Sequence, residues 1–448
     1  MQENYKPKYV DWTEEDYANS DLRYCVPMTA HALEDECVQE TVLNSNNYFI
    51  EEKFDGTRGI LHFLKDGCRV FSRRISKKTN WFTENTDSLP QMREITIPSL
   101  SGTVIDGEMF IPDRPFKDVS STLNCKWDKA IERQEELGEV VFHAFDILYY
   151  RGIRIEHLSL KRRKKFLEKV IQELKSRGIT CIVEVPYFRC GELAKISLTC
   201  EADFGDTVFS LESKYPTLYH DYMRSSSPTL LDLSPRGYYE YIVATGGEGV
   251  ILKYEDGIYE HKRSRGYLKI KKFYTRECIL LGFTEPTKYY DGKFPDDTWE
   301  YWETPDNTKV VCADKSAKSL LKQGYKPLTK YYYNNWVGNM IFGVVITQPE
   351  LDALPKSKKF NIQDISIMDS PCNDYTLYKV LEVGECSGFD EDMREKLSGN
   401  TDSYIGKVIE VKCNEVFKDT GKLRHPRFLR FRDDKGAEEC TYSNHITE

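Results

Sequence analysis

From Tyr48 onward the chain is a succession of short apolar stretches broken by turns, which restricts it to folds assembled from many short strands. Tyr48-Phe49-Ile50-Glu51-Glu52-Lys53 reads as extended. Gly59 to Leu64 alternates imperfectly, Lys65-Asp66-Gly67-Cys68 turns, and Arg69 to Ser72 returns; the Asp-Gly step marks a hairpin. Thr103 to Ile111 and Val140 to Tyr149 read as two further strands, more deeply buried. After Lys272 the same grammar resumes in Glu277 to Phe283, Asn339 to Ile346, Leu377 to Val383, Tyr404 to Val411 and Arg427 to Phe431, and five such strands suit a small barrel. A long irregular stretch, Thr284 to Trp336, interrupts that barrel.

One helix stands out. Ser159 is a good N-cap, Phe166, Leu167, Val170, Ile171 and Leu174 make an apolar stripe at helical spacing, and Gly178 fits the stop. Its basic opening run, Lys161 to Lys165, reads as a solvated face, with phosphate contact as the alternative. The main boundary falls near Phe273 to Glu277. The chain is therefore α+β: an N-terminal extension at 1–25 that wraps or frays, a domain of antiparallel sheets with helices at 26–274, and an all-β barrel at 275–448 with an insertion at about 284–336.

Composition narrows the class. Of 448 residues 40% are apolar, enough for sizeable cores, so wholesale disorder is excluded. The longest apolar runs, such as Ile341-Phe342 and Val344-Val345-Ile346, fall far short of the roughly 20 residues of a membrane span, and the polar N-terminus is no signal peptide. Thirteen cysteines without a secretory leader read as free thiols in an intracellular, reducing compartment, and the chain as not secreted. Cys181, Cys190 and Cys200 are too widely spaced for a zinc knuckle. The net charge of −9 argues against non-specific coating of nucleic acid, yet the charge is segregated: Arg69 to Lys78 holds five basic residues and no acid, and Lys407 to Lys435 holds nine against five.

The chemistry concentrates in Lys53-Phe54-Asp55-Gly56-Thr57-Arg58. A lysine at a strand end before a glycine turn can point its amine into a pocket, and an arginine five residues on can return to the same ligand. Downstream, in order, stand Ser72-Arg73, Asp106-Gly107-Glu108, Phe145-Asp146-Ile147-Leu148-Tyr149, Glu248 to Lys253, Lys269-Ile270-Lys271 and Arg432-Asp433-Asp434-Lys435. A lysine that attacks phosphorus must be neutral, well below its ordinary pKa of about 10.4, and burial with neighbouring positive charge works in that direction. Glu108 and Glu248 offer hard oxygen ligands of the kind Mg²⁺ takes.

These segments resemble, in order and spacing, motifs I, Ia, III, IIIa, IV, V and VI of the covalent nucleotidyltransferases, and their flanks look most like the ATP-dependent DNA ligases. The resemblance covers about residues 25–283 and 377–436. It begins near Arg23 to Ala32, which implies a compact form without a separate N-terminal DNA-binding domain. The implied fold is a nucleotidyltransferase (ATP-grasp-like adenylation) domain followed by an OB-fold barrel. The implied activity is nick sealing in duplex DNA through lysyl-AMP and DNA-adenylate intermediates, using ATP and Mg²⁺ (or Mn²⁺); a monomer is the default expectation. By the same resemblance Lys53 is the nucleophile. Glu51 reads the adenine amino group, Phe145 stacks on the base, and Arg58 contacts the nucleotide or the nick phosphate. Glu108 binds ribose or metal, and Glu248 holds the metal. Lys253, Lys269 and Lys271 face the α-phosphate, while Arg432 and Lys435 orient the pyrophosphate. Arg73 holds the nick phosphate within an ATP-and-DNA surface that the doubled Arg73-Arg74 leaves shared between the two. The insertion could clamp DNA, or be a packed subdomain. A capping guanylyltransferase or an RNA ligase shares most of these motifs and is the alternative; an RNA ligase usually lacks the terminal barrel.

Overall fold

The computed structural model describes residues 5–190, 235–369 and 374–447; Cys200 and Met1 to Asn4, considered above, lie outside them. The chain divides into two compact units, Met1–Lys272 and Phe273–Glu448.

In chain order the first unit contains β1 (Thr29–Ala32), β2 (Tyr48–Glu52), β3 (Thr57–Leu64), β4 (Gly67–Ile75), β5 (Phe82–Glu84), β6 (Val104–Phe110), β7 (Val141–Tyr150), β8 (Ile153–Arg154), β9 (Ile182–Glu184), β10 (Tyr187–Arg189), β11 (Gly249–Tyr254) and β12 (Arg263–Lys271). They form two sheets, β1-β12-β11-β2-β10 and β5-β4-β3-β6-β7-β8, with β9 added to β7. Strand alternation decides what each face carries. Ile50, Val250, Leu252, Leu268 and Ile270 line the outer face of the first sheet, where Leu43, Tyr238 and Ile242 of the helices Glu36–Leu43 and Pro235–Ala244 close over them. The inner face contributes Phe49 and Tyr267, which meet Ile60, Val104 and Leu148 of the second sheet in one cluster. The second sheet's outer face carries Leu61, Phe63, Ile105, Met109 and Phe142 against Leu167, Val170, Ile171 and Leu174 of the helix Leu160–Ser176. The two sheets thus face each other across a core, with helices outside.

The helix Leu160–Ser176 begins and ends where its sequence signals put it, but two of its basic residues are not on a solvated face. Arg163 and Lys164 are 0% and 1% exposed. They fall on the same stripe as Leu160 and Leu167, three or four residues from each, so the helical period carries them inward. Ser159 stands at the N-cap without a capping side-chain bond; instead the Leu160 and Lys161 amides donate to the Gly257 and Glu255 carbonyls, each at 2.9 Å.

The N-terminal segment wraps. Tyr9 and Trp12 lie over the Arg69 guanidinium at 3.7 and 3.9 Å, and Tyr17 and Leu22 pack on Phe71 and Phe82. Arg69, counted above in the basic run, is therefore buried and forked onto Glu84 at 2.6 Å in both contacts, which leaves Arg73, Arg74, Lys77 and Lys78 as the exposed cations of that run. Beside Arg69 sits His62, whose imidazole burial pulls down to about 3, with Arg69 and Arg23 adding to it. Because the folded pKa lies below the unfolded value of about 6.5, the unfolded chain takes up the proton first and stability is lost as pH falls below about 6.5. One such group gives a slope of about 1.4 kcal/mol per pH unit. The His62→Gln variant is expected to lose that slope between pH 6 and 4 relative to the parent, in urea melts of the first unit. Parallel profiles would contradict it.

The second unit continues with β13 (Tyr274–Phe283), β14 (Tyr301–Glu303), β15 (Lys309–Val311), β16 (Lys326–Pro327), β17 (Met340–Val345), β18 (Ile362–Asp369), β19 (Asp374–Cys386), β20 (Val408–Cys413), β21 (Glu415–Val416), β22 (Leu423–Arg424) and β23 (Arg427–Phe431). Its main sheet runs β18-β19-β17-β13-β20-β23, and a bridge from Ser387 to Arg427 joins the end of β19 to β23, closing the barrel. Leu280, Phe342, Val344, Leu381, Ile409 and Val411 fill it, and Leu397 of the helix Glu391–Gly399 plugs one side. This is the OB-type barrel expected. The strand read from Tyr404 starts only at Val408, because Gly406 sits at φ +86° in a turn. The insertion folds as a small β15-β14-β16 sheet around Trp302, Ala317 and Leu320. Tyr290 stacks on Trp299 with centroids 3.7 Å apart, and Phe294, Trp299 and Tyr325 pack on Trp302, while Tyr289 stays exposed.

Candidate active site

The register of the first sheet assembles the site. β2 and β11 are antiparallel with Glu51 opposite Ile251 and Phe49 opposite Lys253; β12 sets Lys269 opposite Ile251 and Lys271 opposite Gly249. Opposed residues share a face, so Glu51, Lys253, Lys269 and Lys271 all point to the inner side, and Lys53, two beyond Glu51, follows them. The Lys53 amide donates to the Gly249 carbonyl at 2.8 Å, extending the pairing to the lysine itself. Gly249 has φ +138°, and a Cβ there would lie 2.2 Å from the Ile270 carbonyl oxygen. Only glycine fits, and it delivers Glu248 to the strand end. There the Glu248 carboxylate accepts from both Lys53 Nζ and Lys271 Nζ. Burial, with the positive charge of Lys271 and Lys53, holds Lys269 below its ordinary range.

The second sheet supplies the facing wall. Arg58 and Glu108 are register partners, but the Arg58 guanidinium turns to Asp106, with Nε 2.5 Å from Oδ1 and Nη2 2.6 Å from Oδ2. It also donates to the Met28 carbonyl at 3.0 Å and lies 4.4 Å from the Phe145 ring centroid. Glu108 is left with no ion pair among the described residues, and burial pushes its carboxyl up to about 7 against the pull of Arg58 and Lys53. Gly56 makes room for it: a Cβ there would meet the Met109 carbonyl oxygen at 2.4 Å and Glu108 Cγ at 2.9 Å.

Behind Lys53 lies a buried charge network. Glu51 is 2.7 Å from Lys164 Nζ and 2.5 Å from Lys253 Nζ, and Lys253 Nζ is 4.0 Å from the Phe145 ring centroid. Burial pulls the Lys253 ammonium down to about 8 in spite of Glu51. These are ion pairs by distance; Glu51 Oε1, Lys164 Nζ and Lys253 Nζ make no aligned hydrogen bond. Deeper still, Arg163 forks onto Asp146 at 2.8 Å in both contacts, and the Tyr267 hydroxyl donates to the same carboxylate. Burial alone would raise the Asp146 carboxyl, and Arg163 overrides it and holds the group below the usual carboxylate range.

The structure thus brings together Lys53, Glu248, Lys269 and Lys271 at one end, Glu51, Lys253 and Phe145 behind them, and Arg58 with Glu108 opposite. Arg73 and Arg74 are instead exposed on β4. Arg432 and Lys435 belong to the second unit, where Arg432 pairs with Asp434 at 2.7 Å and with Glu277, and Lys435 with Glu277 at 3.3 Å and Glu439 at 3.0 Å. Sequence reasoning missed Asp106, Asp146, Arg163, Lys164 and Tyr267. The stripe spacing of Arg163 and Lys164 was a usable signal for those two, whereas the partner of Arg58 was not readable from one chain. No group of three or more His, Cys, Asp or Glu side chains that could hold a metal occurs among the described residues. The metal ligands named above reduce to two carboxylates, Glu248, engaged by two lysines, and Glu108, whose freedom from ion pairs fits a cation.

Residues 27–185 match the family profile described as "ATP dependent DNA ligase domain". The chain is similar to the DNA ligase of Archaeoglobus fulgidus, 25% identical over 420 residues that cover 90% of this chain and 55% of that protein. It is similar to DNA ligase 2 of Methanosarcina mazei, 25% identical over 404 residues, 87% of this chain and 53% of that protein. The chain spans about half the length of these curated relatives. A solved structure titled "Pmar-Lig_Pre." covers 92% of this chain and 68% of its own, with a TM-score of 0.50 and 16% identity, a likeness of fold.

Proposed function

We propose, from the premise that residues 27–185 are a domain of the ATP-dependent DNA ligase family, that this chain seals nicks in duplex DNA through a lysyl-adenylate. The observation that carries the reading is Lys53 at the strand end, its amine against Glu248 and beside Lys271, on the face that also holds Glu51 and Lys253. Lys53 Nζ attacks the α-phosphorus of ATP; the P–N bond forms, the bond to the β-phosphate bridging oxygen breaks, and pyrophosphate leaves. Glu248 Oε2, in contact with Nζ, is positioned to take the proton. Lys269 and Lys271 stabilise charge developing on the phosphorus oxygens. A 5′-phosphate oxygen at a nick then displaces Lys53 to give the DNA adenylate. The 3′-hydroxyl attacks that 5′-phosphorus, releasing AMP.

Glu51 reads the base and Phe145 packs against it, with Arg58 held by Asp106 as a fixed edge of the pocket. Glu108 and Glu248 would hold Mg²⁺, which supplies charge neutralisation along the phosphates when bound. Arg73 and Arg74, exposed and basic, are assigned to the DNA phosphates. Arg432 and Lys435 are assigned to the pyrophosphate, which requires them to leave their present carboxylate partners. The test is incubation with Mg²⁺ and either α-labelled ATP or α-labelled GTP, followed by denaturing electrophoresis. Label from ATP is expected; label from GTP alone would make the chain a capping-type guanylyltransferase.

A further inference from the structure

We propose that Lys164 is a positioning residue that sets base specificity by holding Glu51 ionised and aimed at the exocyclic amino group of adenine. The inference rests on the reading of Glu51 given above and adds to it a residue from outside the motifs. Lys164 is on the helix Leu160–Ser176, 1% exposed, with Nζ 2.7 Å from Glu51 and 4.2 Å from the Tyr187 ring centroid. Tyr187 is itself fixed, its hydroxyl donating to Glu168 at 2.6 Å. Buried lysines are rare because desolvation opposes the charge, and one lysine already neutralises Glu51 at 2.5 Å, namely Lys253. A second buried ammonium on the same carboxylate is therefore surplus to neutralisation.

What the pair does supply is orientation. Glu51 is flanked by an ammonium on each oxygen, which keeps it ionised and restricts its rotation. An ionised carboxylate has about four acceptor sites. Glu51 Oε1 is buried against Lys164, so the acceptor sites left for an incoming N–H are those of Oε2, beside Lys253. Adenine presents an amino group, whereas guanine would set a carbonyl oxygen against the carboxylate. A site with an ionised acceptor left unpaired rejects the wrong base far more strongly than an apolar pocket can. The other charges facing Lys164 are Glu184 on β9, whose carboxyl burial pushes up to about 7, and Glu168 one turn along the helix.

The experiment measures self-labelling by the full chain with ATP, GTP and purine riboside triphosphate, which is ATP without the amino group, as both maximal rate and half-saturating concentration. The parent, Lys164→Met, Lys164→Arg and Glu51→Gln are compared. The expected result for Lys164→Met is a half-saturating ATP concentration raised about tenfold or more, the weight of one charge-assisted hydrogen bond. Its maximal rate changes far less, and its preference for ATP over the amino-free analogue collapses. Lys164→Arg restores that preference. Retention of the preference in Lys164→Met while Glu51→Gln loses it would overturn the role of Lys164 alone. Retention in Glu51→Gln as well would overturn base reading by Glu51 and the inference with it. Lys164→Gln serves the same comparison if the methionine variant is insoluble, since the ratio is read within one folded protein.

Discussion

Lys53→Ala is expected to abolish covalent labelling from ATP, a loss of roughly 10⁴-fold or more, because removal of a nucleophile leaves only binding and polarisation. No other lysine among those brought together stands at the strand end with its backbone amide tied to Gly249 and its amine against Glu248. Lys269 and Lys271 sit on β12, separated from β2 by β11, and Lys253 is committed to Glu51. The fold should survive. Lys53 is part-exposed, Glu248 keeps Lys271, and the lost pair contributes at most about 1 kcal/mol. An unchanged melting transition with no label therefore separates chemistry from folding. Label remaining at parental intensity would assign the nucleophile elsewhere.

The second large effect is on stability. Arg163→Met should destabilise the first unit by about 3–5 kcal/mol, because it strands the Asp146 carboxylate in the core. Both side chains are 0% exposed. Arg163 also donates to the Leu158 carbonyl at 2.6 Å and the Gly257 carbonyl at 3.0 Å, so two further acceptors lose a donor. The pair anchors the helix Leu160–Ser176 and the loop 255–257 to β7 and, through the Tyr267 hydroxyl, to β12. It therefore ties the two sheets together directly behind Glu51 and Lys253. The double variant Arg163→Met with Asp146→Leu should recover a good part of the loss, since removing both partners leaves no bare charge. Urea midpoints of the first unit measure both. A single-variant cost under about 1 kcal/mol would contradict the account of that network.

Much of this was legible before any coordinates. Lys53, Glu51, Lys253, Lys269 and Lys271 lie on three short strands whose alternation fixes their face once the strands pair, and the Asp-Gly hairpin between β3 and β4 was readable from turn chemistry alone. The boundary read near Phe273 lies beside the division into units at Lys272. The basic run at the start of the helix was misread because its charge was weighed and its spacing was not; Arg163 and Lys164 occupy stripe positions. Ile362–Asp369 was missed as a strand because its exposed residues dilute the alternation of Ile365 and Ile367, which pack on a second cluster around Ile279, Val380 and Val408, on the strand faces turned away from Leu280, Leu381 and Ile409. The diversion of Arg58 to Asp106, and the burial of Arg69 under Tyr9 and Trp12, depend on contacts between segments far apart in sequence, which a local pattern does not encode. The insertion's local core of Trp302 with Phe294, Trp299 and Tyr325 depends likewise on contacts that a local pattern does not encode.

The central claim is that Lys53 carries the nucleotide and passes it to DNA. Its most direct test is to label the chain with α-labelled ATP and Mg²⁺, remove free nucleotide, map the label by proteolysis, and then add a nicked duplex. The account predicts an acid-labile adenylate on the peptide that contains Lys53, followed by transfer to the 5′-phosphate of the nick and release as AMP when the strand is sealed. Label on a different peptide, or label on Lys53 that a nicked duplex does not discharge, would contradict it.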